Sequence, residues 1–305
     1  MELNHEEVTT PPAAAASIVL LRDAPGGLEV LMIERHASSS VLGGAHVFPG
    51  GKLDREDCEE AALCTIGGPR ERLHEMLGEP DGEPAISAGL FYAACRETFE
   101  EARVLLAREA RPGSGRLSEA LVGERAWSML REGASFCELL TVLELQIDSD
   151  SLVPWSRWIT PRVPSMTAGR RFDTRFFVAA LPAGQSAGID EHEAVHGEWL
   201  NPGVALRRYA AGEITLGPPQ IMSLLQLAAC RSAAEVLDAA RRRKPPLIEP
   251  EPFQLDGRRV VCYPGDTHHP VSERAMLGPT RLIQRDGRFE PPGGIEELLS
   301  LAEGR

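Results

Sequence analysis

Residues 96–104 read RETFEEARV, within a segment from Ile86 to Arg108 that contains no proline and a single glycine. The segment is rich in Ala, Leu, Glu and Arg, a composition that favours a helix. On a helix, Glu97, Glu100 and Glu101 stand at positions i, i+3 and i+4, so their carboxylates share one face. Three carboxylates at such short distances repel one another unless a cation lies among them. A solvated acidic helix face is the commoner meaning of such a cluster, and this segment alone does not exclude it.

A glycine pair far upstream adds to this pattern. Gly50 and Gly51 follow an apolar run, Ala45 to Phe48, which predicts a short strand that ends in a turn. Glycine lets backbone amides and carbonyls approach a metal or a phosphate without a side chain in the way. Carboxylate and carbonyl oxygens suit Mg²⁺ or Mn²⁺ better than sulfur or imidazole would. The two segments together therefore indicate metal and phosphate chemistry.

The two segments resemble the halves of the Nudix box, G-x5-E-x7-R-E-U-x-E-E-x-G-U, in which U is a bulky aliphatic residue. Gly51 takes the first position, and Asp57 stands where the family usually has glutamate. Arg96 starts the second half, but about 31 residues are inserted before it. Thr98 replaces an aliphatic residue, and Arg103 replaces the glycine that follows the glutamates.

A box split in this way resembles that of the Nudix acyl-coenzyme A diphosphatases, which carry a long insert inside it. The resemblance continues in the segments HVFPGG (46–51), WSRWITP (155–161) and RFDTRFF (171–177), and it covers roughly Ala13 to Ala229. Substrate does not follow from the fold, because one fold hosts many specificities.

The resemblance implies an α/β fold: a Nudix-type α/β/α sandwich with a mixed sheet, decorated by a helical insert and a C-terminal extension. We expect a flexible tail at 1–12, a Nudix domain at 13–230 and a C-terminal helix, linker and small β-rich extension at 231–305. The insert, residues 58–87, is charged and contains Gly and Pro, so we expect it on the surface. A cap over the active site is the alternative.

The resemblance also implies site residues. Glu97, Glu100 and Glu101 would be catalytic and hold Mg²⁺ or Mn²⁺, with the Gly51 carbonyl as a further metal ligand. Arg96 would orient these carboxylates by ion pairing. The remaining structural residues of the box would be Gly50 and Asp57.

A further acidic residue often comes from a loop in this family, as metal ligand or general base. Glu191 and Glu193 are the candidates, although that loop has no fixed motif. Substrate phosphates would be bound by Arg35, Arg170 and Arg175, because guanidinium groups pair bidentately with phosphate. Internal ion pairs compete with that role.

The implied reaction is metal-dependent hydrolysis of the phosphoric anhydride that joins a nucleoside diphosphate to another moiety. Coenzyme A or acyl-coenzyme A is the first expectation, and NADH, ADP-ribose or a nucleotide sugar is the alternative. A non-catalytic Nudix-fold nucleotide sensor also stays open, because Arg103 departs from the box.

Net charge, apolar runs and cysteine usage limit the kinds of partner and compartment that we expect for this protein. The formal charge of −13 disfavours general binding to nucleic acid or to anionic membranes. The sequence contains no run of about 18 apolar residues, so we predict no membrane span. Six cysteines without a C-x-x-C pair and a polar N-terminal segment lead us to expect a cytoplasmic protein with reduced thiols. A small-molecule phosphoanhydride is the expected partner, and a homodimer is left open.

Overall fold

A mixed sheet forms the centre of the fold in the computed structural model, which describes residues 7–39, 42–110, 119–163, 169–188 and 194–303. The sheet has eight strands within these ranges. They are β1 (Ala13–Ala24), β2 (Gly27–Arg35), β3 (His46–Val47), β4 (Gly50–Lys52), β7 (Val153–Ile159), β8 (Phe172–Ala180), β9 (Ala194–Leu200) and β10 (Leu247–Ile248). A separate two-stranded sheet pairs β5 (Ala107–Glu109) with β6 (Leu145–Ile147).

Strand order explains why the sheet is mixed. The sequence of neighbours is β10-β7-β8-β1-β2-β3, with β4 also paired to β1 and β9 to β2. The pairs β1–β8 and β7–β10 are parallel, and the other pairs are antiparallel. This architecture, with helices on both faces of the sheet, confirms the predicted α/β fold with a mixed sheet.

The helices within the described ranges pack on the two faces of the sheet. They are α1 (Glu60–Leu63), α2 (Arg70–Leu77), α3 (Pro84–Ala102), α4 (Glu119–Arg131), α5 (Phe136–Val142), α6 (Pro202–Ala210), α7 (Pro218–Ala228), α8 (Ala233–Arg241) and α9 (Gly294–Ala302). One hydrophobic cluster joins α3 and the insert to the sheet, and the other joins α6, α7, α8 and α9 to the opposite face. None of these helices is long and apolar enough to cross a membrane.

Helix α3 carries the acidic segment. It begins at Pro84, a residue suited to the first helical turn because its missing N–H has no partner there anyway. It ends sooner than the composition predicts, because Arg103 adopts a left-handed conformation (φ 57°, ψ 22°). The Arg103 N–H donates to the Phe99 carbonyl at 2.9 Å, which closes the last turn. The Nudix box has glycine at this position, and the left-handed backbone is the physical reason.

The insert has many exposed residues, and its apolar side is part of the core. Leu63 at the end of α1 and Ile66 just after it are buried, and Leu73 and Leu77 are buried on α2. All four belong to the cluster that also contains the apolar side of α3. Each buried leucine contributes on the order of 1.5–3 kcal/mol. Most of the charged residues of the insert are exposed, and they mask this amphipathic pattern in the composition.

The C-terminal region forms a second sheet. Its four antiparallel strands are β11 (Glu251–Leu255), β12 (Arg258–Cys262), β13 (Arg281–Arg285) and β14 (Arg288–Glu290). The Tyr209 hydroxyl, on α6, accepts a hydrogen bond from the Phe289 amide at 2.7 Å and donates one to the Phe289 carbonyl at 3.0 Å. Burial raises the pKa of Tyr209 to about 12, so it stays a neutral donor. Val261 and Leu282 belong to the same hydrophobic cluster as one face of the main sheet.

Candidate active site

The two halves of the split box meet in space. The Gly50 N–H, in β4, donates to Glu101 Oε2 at 2.8 Å, across 51 positions of sequence. A Cβ atom on Gly51 would overlap the carboxylate of Glu97, so only glycine allows this approach. The turn at Pro49 and Gly50 is also held by β1, because the Ser17 hydroxyl donates to the Pro49 carbonyl at 3.0 Å. The insert therefore separates the two halves of the box in sequence but not in space.

Arg96 connects the acidic residues of both halves. Its Nε and Nη2 donate to Asp57 at 2.8 and 2.9 Å, and its Nη1 donates to Glu97 at 2.9 Å and to Glu100 at 3.0 Å. Burial opposes the charge on Arg96, but the hydrogen bonds to Asp57 and the charges of the two glutamates outweigh burial and raise its pKa. The guanidinium is therefore permanently charged and holds the carboxylates in fixed positions.

The three glutamates differ in exposure. The side chain of Glu101 is 7% exposed, that of Glu97 14% and that of Glu100 26%. Arg35 Nη1 lies 3.9 Å from Glu101 Oε1, which brings a second cation to the same place. Arg35 Nε is buried and has no hydrogen-bond partner among the described residues. A buried donor of this kind is costly without a partner, and a bound anion would supply one.

A cavity of about 610 Å³ opens beside these groups. Glu97 and Glu101 lie in its wall with Gly51 and Arg35, whereas Glu100 does not line it. The volume falls in the range of small-molecule sites, which are commonly 300–1,000 Å³. The rest of the wall is mostly apolar and comes from β1, β7, β8, the start of α7 and the C-terminal region.

The donor set fits a divalent cation that keeps part of its water shell. Within the described ranges, no group of three or more Asp, Glu, His or Cys side chains is placed to hold a metal ion. Mg²⁺ usually binds through one or two carboxylates and retains several waters, so a full cage is not required. Glu97 and Glu101 share the cavity wall with Gly51, whose lack of a Cβ leaves its backbone open to a ligand. The oxygens present are the hard ligands that Mg²⁺ and Mn²⁺ prefer.

The three predicted phosphate-binding arginines lie in two different places. Arg35 and Arg170 line the cavity, and Arg175 does not. Arg175 is buried and donates to Glu79 of the insert at 2.9 and 2.5 Å. It also pairs with Asp173 at 2.9 Å. This internal ion pair was the competing interpretation, and it occupies the guanidinium of Arg175.

The predicted additional acids, Glu191 and Glu193, lie outside the described residues. Other cavity residues had no sequence signal. Trp158 belongs to the hydrophobic core and also lines the cavity. Pro250 and Val261 come from the C-terminal region, and no local pattern predicted a role for either.

A mixed sheet between helical layers, with an R-E-x-x-E-E helix against a Gly-Gly turn, defines a Nudix hydrolase. A sequence profile described as the NUDT19 Nudix domain matches residues 8–227. The chain therefore belongs to this Nudix family and is a hydrolase that acts on acid anhydrides. The long insert in the box, interpreted as a subfamily feature, agrees with this match.

Relatives and a solved structure agree with this assignment. The chain is 32% identical to the acyl-coenzyme A diphosphatase NUDT19 of Gallus gallus over 253 residues, covering 70% of this chain and 67% of that protein. It is 30% identical to the Homo sapiens protein of the same name, covering 75% and 66%. The chain thus spans about two thirds of the length of these relatives. A Nudix hydrolase structure from Alicyclobacillus acidocaldarius is 27% identical, with a TM-score of 0.61, and the match covers 75% of this chain and 97% of that one.

Proposed function

We propose that the protein hydrolyses the diphosphate of coenzyme A or acyl-coenzyme A in a divalent-metal-dependent reaction. The observation that carries the proposal is the placement of Glu97 and Glu101 beside Gly51 and Arg35 in the wall of one cavity. The names of the chicken and human relatives support coenzyme A derivatives as the substrate class. The products would be adenosine 3′,5′-bisphosphate and phosphopantetheine or its acyl derivative.

The position of each side chain in the site suggests its role in the reaction. Glu97 and Glu101 would hold Mg²⁺ or Mn²⁺, with Glu100 and the Gly51 carbonyl as further ligands. When bound, the cation neutralises anhydride oxygens and lowers the pKa of its water. Arg96 keeps Glu97 and Glu100 in place through its two Nη1 hydrogen bonds. Arg35 is close enough to Glu101 to neutralise a diphosphate oxygen in the same site.

The bond changes consume one water. The water oxygen bonds to one phosphorus, and the bond from that phosphorus to the bridging oxygen breaks, so each product keeps one phosphate of the cleaved diphosphate. The water also gives up a proton, which needs a base. Glu191 and Glu193 remain our predictions for that base.

Arg170 is the residue that we assign to the 3′-phosphate of coenzyme A. It is exposed and lies at the cavity wall, whereas Arg35 is committed to the acidic end. In a chain with a net charge of −13, an extra dianion requires a local cation. A charge-assisted hydrogen bond to phosphate would contribute about 1.5–3 kcal/mol.

The cytoplasm is the compartment that we propose. All six cysteines are free, and reduced thiols are typical of that compartment. The negative net charge also supports a small-molecule substrate over nucleic acid.

A substrate comparison tests the proposal. Purified protein would be incubated with Mg²⁺ or Mn²⁺ and separately with coenzyme A, acyl-coenzyme A, NADH, ADP-ribose and a nucleotide sugar, with chelator controls. We expect coenzyme A or its acyl derivative to give the highest kcat/KM. Preference for NADH, ADP-ribose or the nucleotide sugar would keep the Nudix assignment and reject the coenzyme A proposal. Tight, metal-independent binding without turnover would favour a sensor.

A further inference from the structure

The C-terminal sheet lies outside the region matched by the family profile, yet it reaches the cavity. The profile ends at residue 227, and Pro250 and Val261 line the cavity beyond that point. Val261 is 3% exposed and lies on β12, and Pro250 directly precedes β11. The cavity is therefore closed on one side by residues that are not part of the family domain.

Strand pairing gives the separation between Lys52, next to the glycine turn, and Trp158, at this end of the cavity. Lys52 of β4 pairs with Ala15 of β1, Ala15 pairs with Thr174 of β8, and Thr174 pairs with Trp158 of β7. Three strand spacings amount to about 14 Å. Strand β10, which leads to Pro250, pairs with β7 on its far side. The chain therefore enters the C-terminal region on the side of β7 that faces away from the glycine turn.

Contacts fasten the C-terminal region to the connection between β7 and β8, which carries Arg170. Arg171 Nη2 lies 3.4 Å from the Glu249 carboxylate, and its Nε donates to the Thr160 carbonyl at 2.9 Å. From the C-terminal sheet, the Arg259 guanidinium donates to the Val163 carbonyl. The C-terminal sheet and the residues just before it therefore form the wall and contact the segments next to Arg170.

The chemistry of this end of the cavity fits a flat apolar group with a phosphate beyond it. Trp158 and Phe172 contribute aromatic surface, and Pro250 and Val261 contribute aliphatic surface. The Thr160 hydroxyl accepts a hydrogen bond from the Phe172 amide at 3.0 Å. An alkyl chain would gain nothing from the guanidinium of Arg170 nearby, whereas a phosphate would.

We propose that the C-terminal sheet completes the subsite for the 3′-phosphoadenosine half of the substrate. Pro250 and Val261 pack against the base opposite Trp158 and Phe172, and Arg170 binds the 3′-phosphate. The acyl-pantetheine half leaves the acidic end in the other direction. This inference rests on the proposed function, because it assigns one half of the coenzyme A molecule to one end of the cavity.

Binding of the two product halves tests the inference without catalysis. Titration calorimetry on the full chain would measure adenosine 3′,5′-bisphosphate and 4′-phosphopantetheine separately. Val261→Ala removes two methyl groups from the wall, and we expect about tenfold weaker binding of the bisphosphate. We expect the Kd of phosphopantetheine to change less than about twofold, because the wall does not touch it.

Val260→Ala is the matched control. Val260 is the neighbouring residue on β12, equally buried, and it does not line the cavity. It should cost similar stability and leave both Kd values within about twofold. Pro250→Ala is the second wall variant, for use if Val261→Ala does not fold, and the same selective loss of bisphosphate binding is expected.

Each other result overturns the inference. Selective weakening of phosphopantetheine would assign the wall to the acyl half, and equal effects of Val260→Ala and Val261→Ala would reduce the wall to a packing role. A wild-type protein that binds neither half would also contradict it. Failure of the proposed function looks different: the bisphosphate would bind as described, with the Val261→Ala effect, but coenzyme A would not be cleaved.

Discussion

Arg96 and Asp57, 39 positions apart in the sequence, are joined by two hydrogen bonds of 2.8 and 2.9 Å. Asp57 is 1% exposed and stands where the box usually has glutamate. Asp57 Oδ2 also accepts a hydrogen bond from the nearby Asp54 N–H at 2.9 Å. The pair fixes the start of the insert to the helix that follows it. The shorter side chain of aspartate is sufficient for this.

Asp57→Asn should therefore destabilise the protein. The buried guanidinium of Arg96 would lose its bidentate partner, although Glu97 and Glu100 remain, so we expect a loss of about 2–4 kcal/mol in the free energy of unfolding. Urea denaturation measures it. Asp54→Asn is the control, because the Asp54 side chain is 59% exposed and 3.4 Å from Arg96, and its loss should stay within about 0.5 kcal/mol. Equal losses in the two variants would reject a structural role for the Asp57 pair.

Gly51→Ala should reduce activity more than stability. The new Cβ would overlap the Glu97 carboxylate, a side-chain group that can move aside but then leaves its position at the cavity. We expect kcat to fall at least about tenfold, with little change in the unfolding midpoint. Gly26→Ala is the control, because a Cβ there would have no neighbour within 4 Å. Turnover at the wild-type rate in Gly51→Ala would argue against Glu97 as a metal-site residue.

Arg103 substitutions should separate backbone conformation from catalysis. The left-handed position favours glycine, but the Arg103 guanidinium lies 4.3 Å from the centre of the Trp127 ring and offsets the strain. We expect Arg103→Ala to be about 1 kcal/mol less stable than Arg103→Gly, because both variants lose the ring contact but only alanine keeps the strain. Turnover should stay within about twofold of wild type in both variants. A large gain in activity on restoring glycine would instead support a chain that has lost catalysis.

Local patterns predicted much of the fold. Pro25-Gly26-Gly27 marks the β1–β2 hairpin, and Asp256-Gly257 and Asp286-Gly287 mark the hairpins of the C-terminal sheet. These turns were predictable because glycine supplies the positive φ angles they need. The box helix was predictable from its composition, apart from its earlier end at Arg103. Helix α9 was not predicted, since nothing in the C-terminal tail was distinctive enough.

Long-range contacts explain what the sequence could not predict. Arg175 was a candidate for substrate phosphate, but its partner Glu79 lies 96 positions away in the insert. No local pattern announces such a pair. In the same way, the sequence around Val261 is that of an ordinary strand, and only the fold of the C-terminal sheet places Val261 in the cavity wall. The glutamates that we propose for the metal site could be singled out because their spacing on one helix is itself a local pattern.

Removal of the 3′-phosphate tests the role of Arg170. Wild-type protein should cleave dephospho-coenzyme A with a kcat/KM at least about tenfold below that for coenzyme A, because a charge-assisted contact is lost. In Arg170→Ala the two substrates should become nearly equal. Arg162→Ala is the control, because that exposed arginine pairs with Glu7 and does not line the cavity. A full preference for coenzyme A in Arg170→Ala would exclude this arginine as the 3′-phosphate ligand.

The most direct test of the account is product analysis of coenzyme A incubated with Mg²⁺ and wild-type, Glu100→Gln or Glu101→Gln protein. The account predicts equal amounts of adenosine 3′,5′-bisphosphate and 4′-phosphopantetheine from wild type, none with chelator, and kcat at least about 10²-fold lower in both variants. Folding should survive, because each substitution removes one of several repelling charges, and the exposed Glu71→Gln on α2 should behave as wild type. Equal turnover by wild type and both glutamine variants, or binding of coenzyme A without either product, would contradict it.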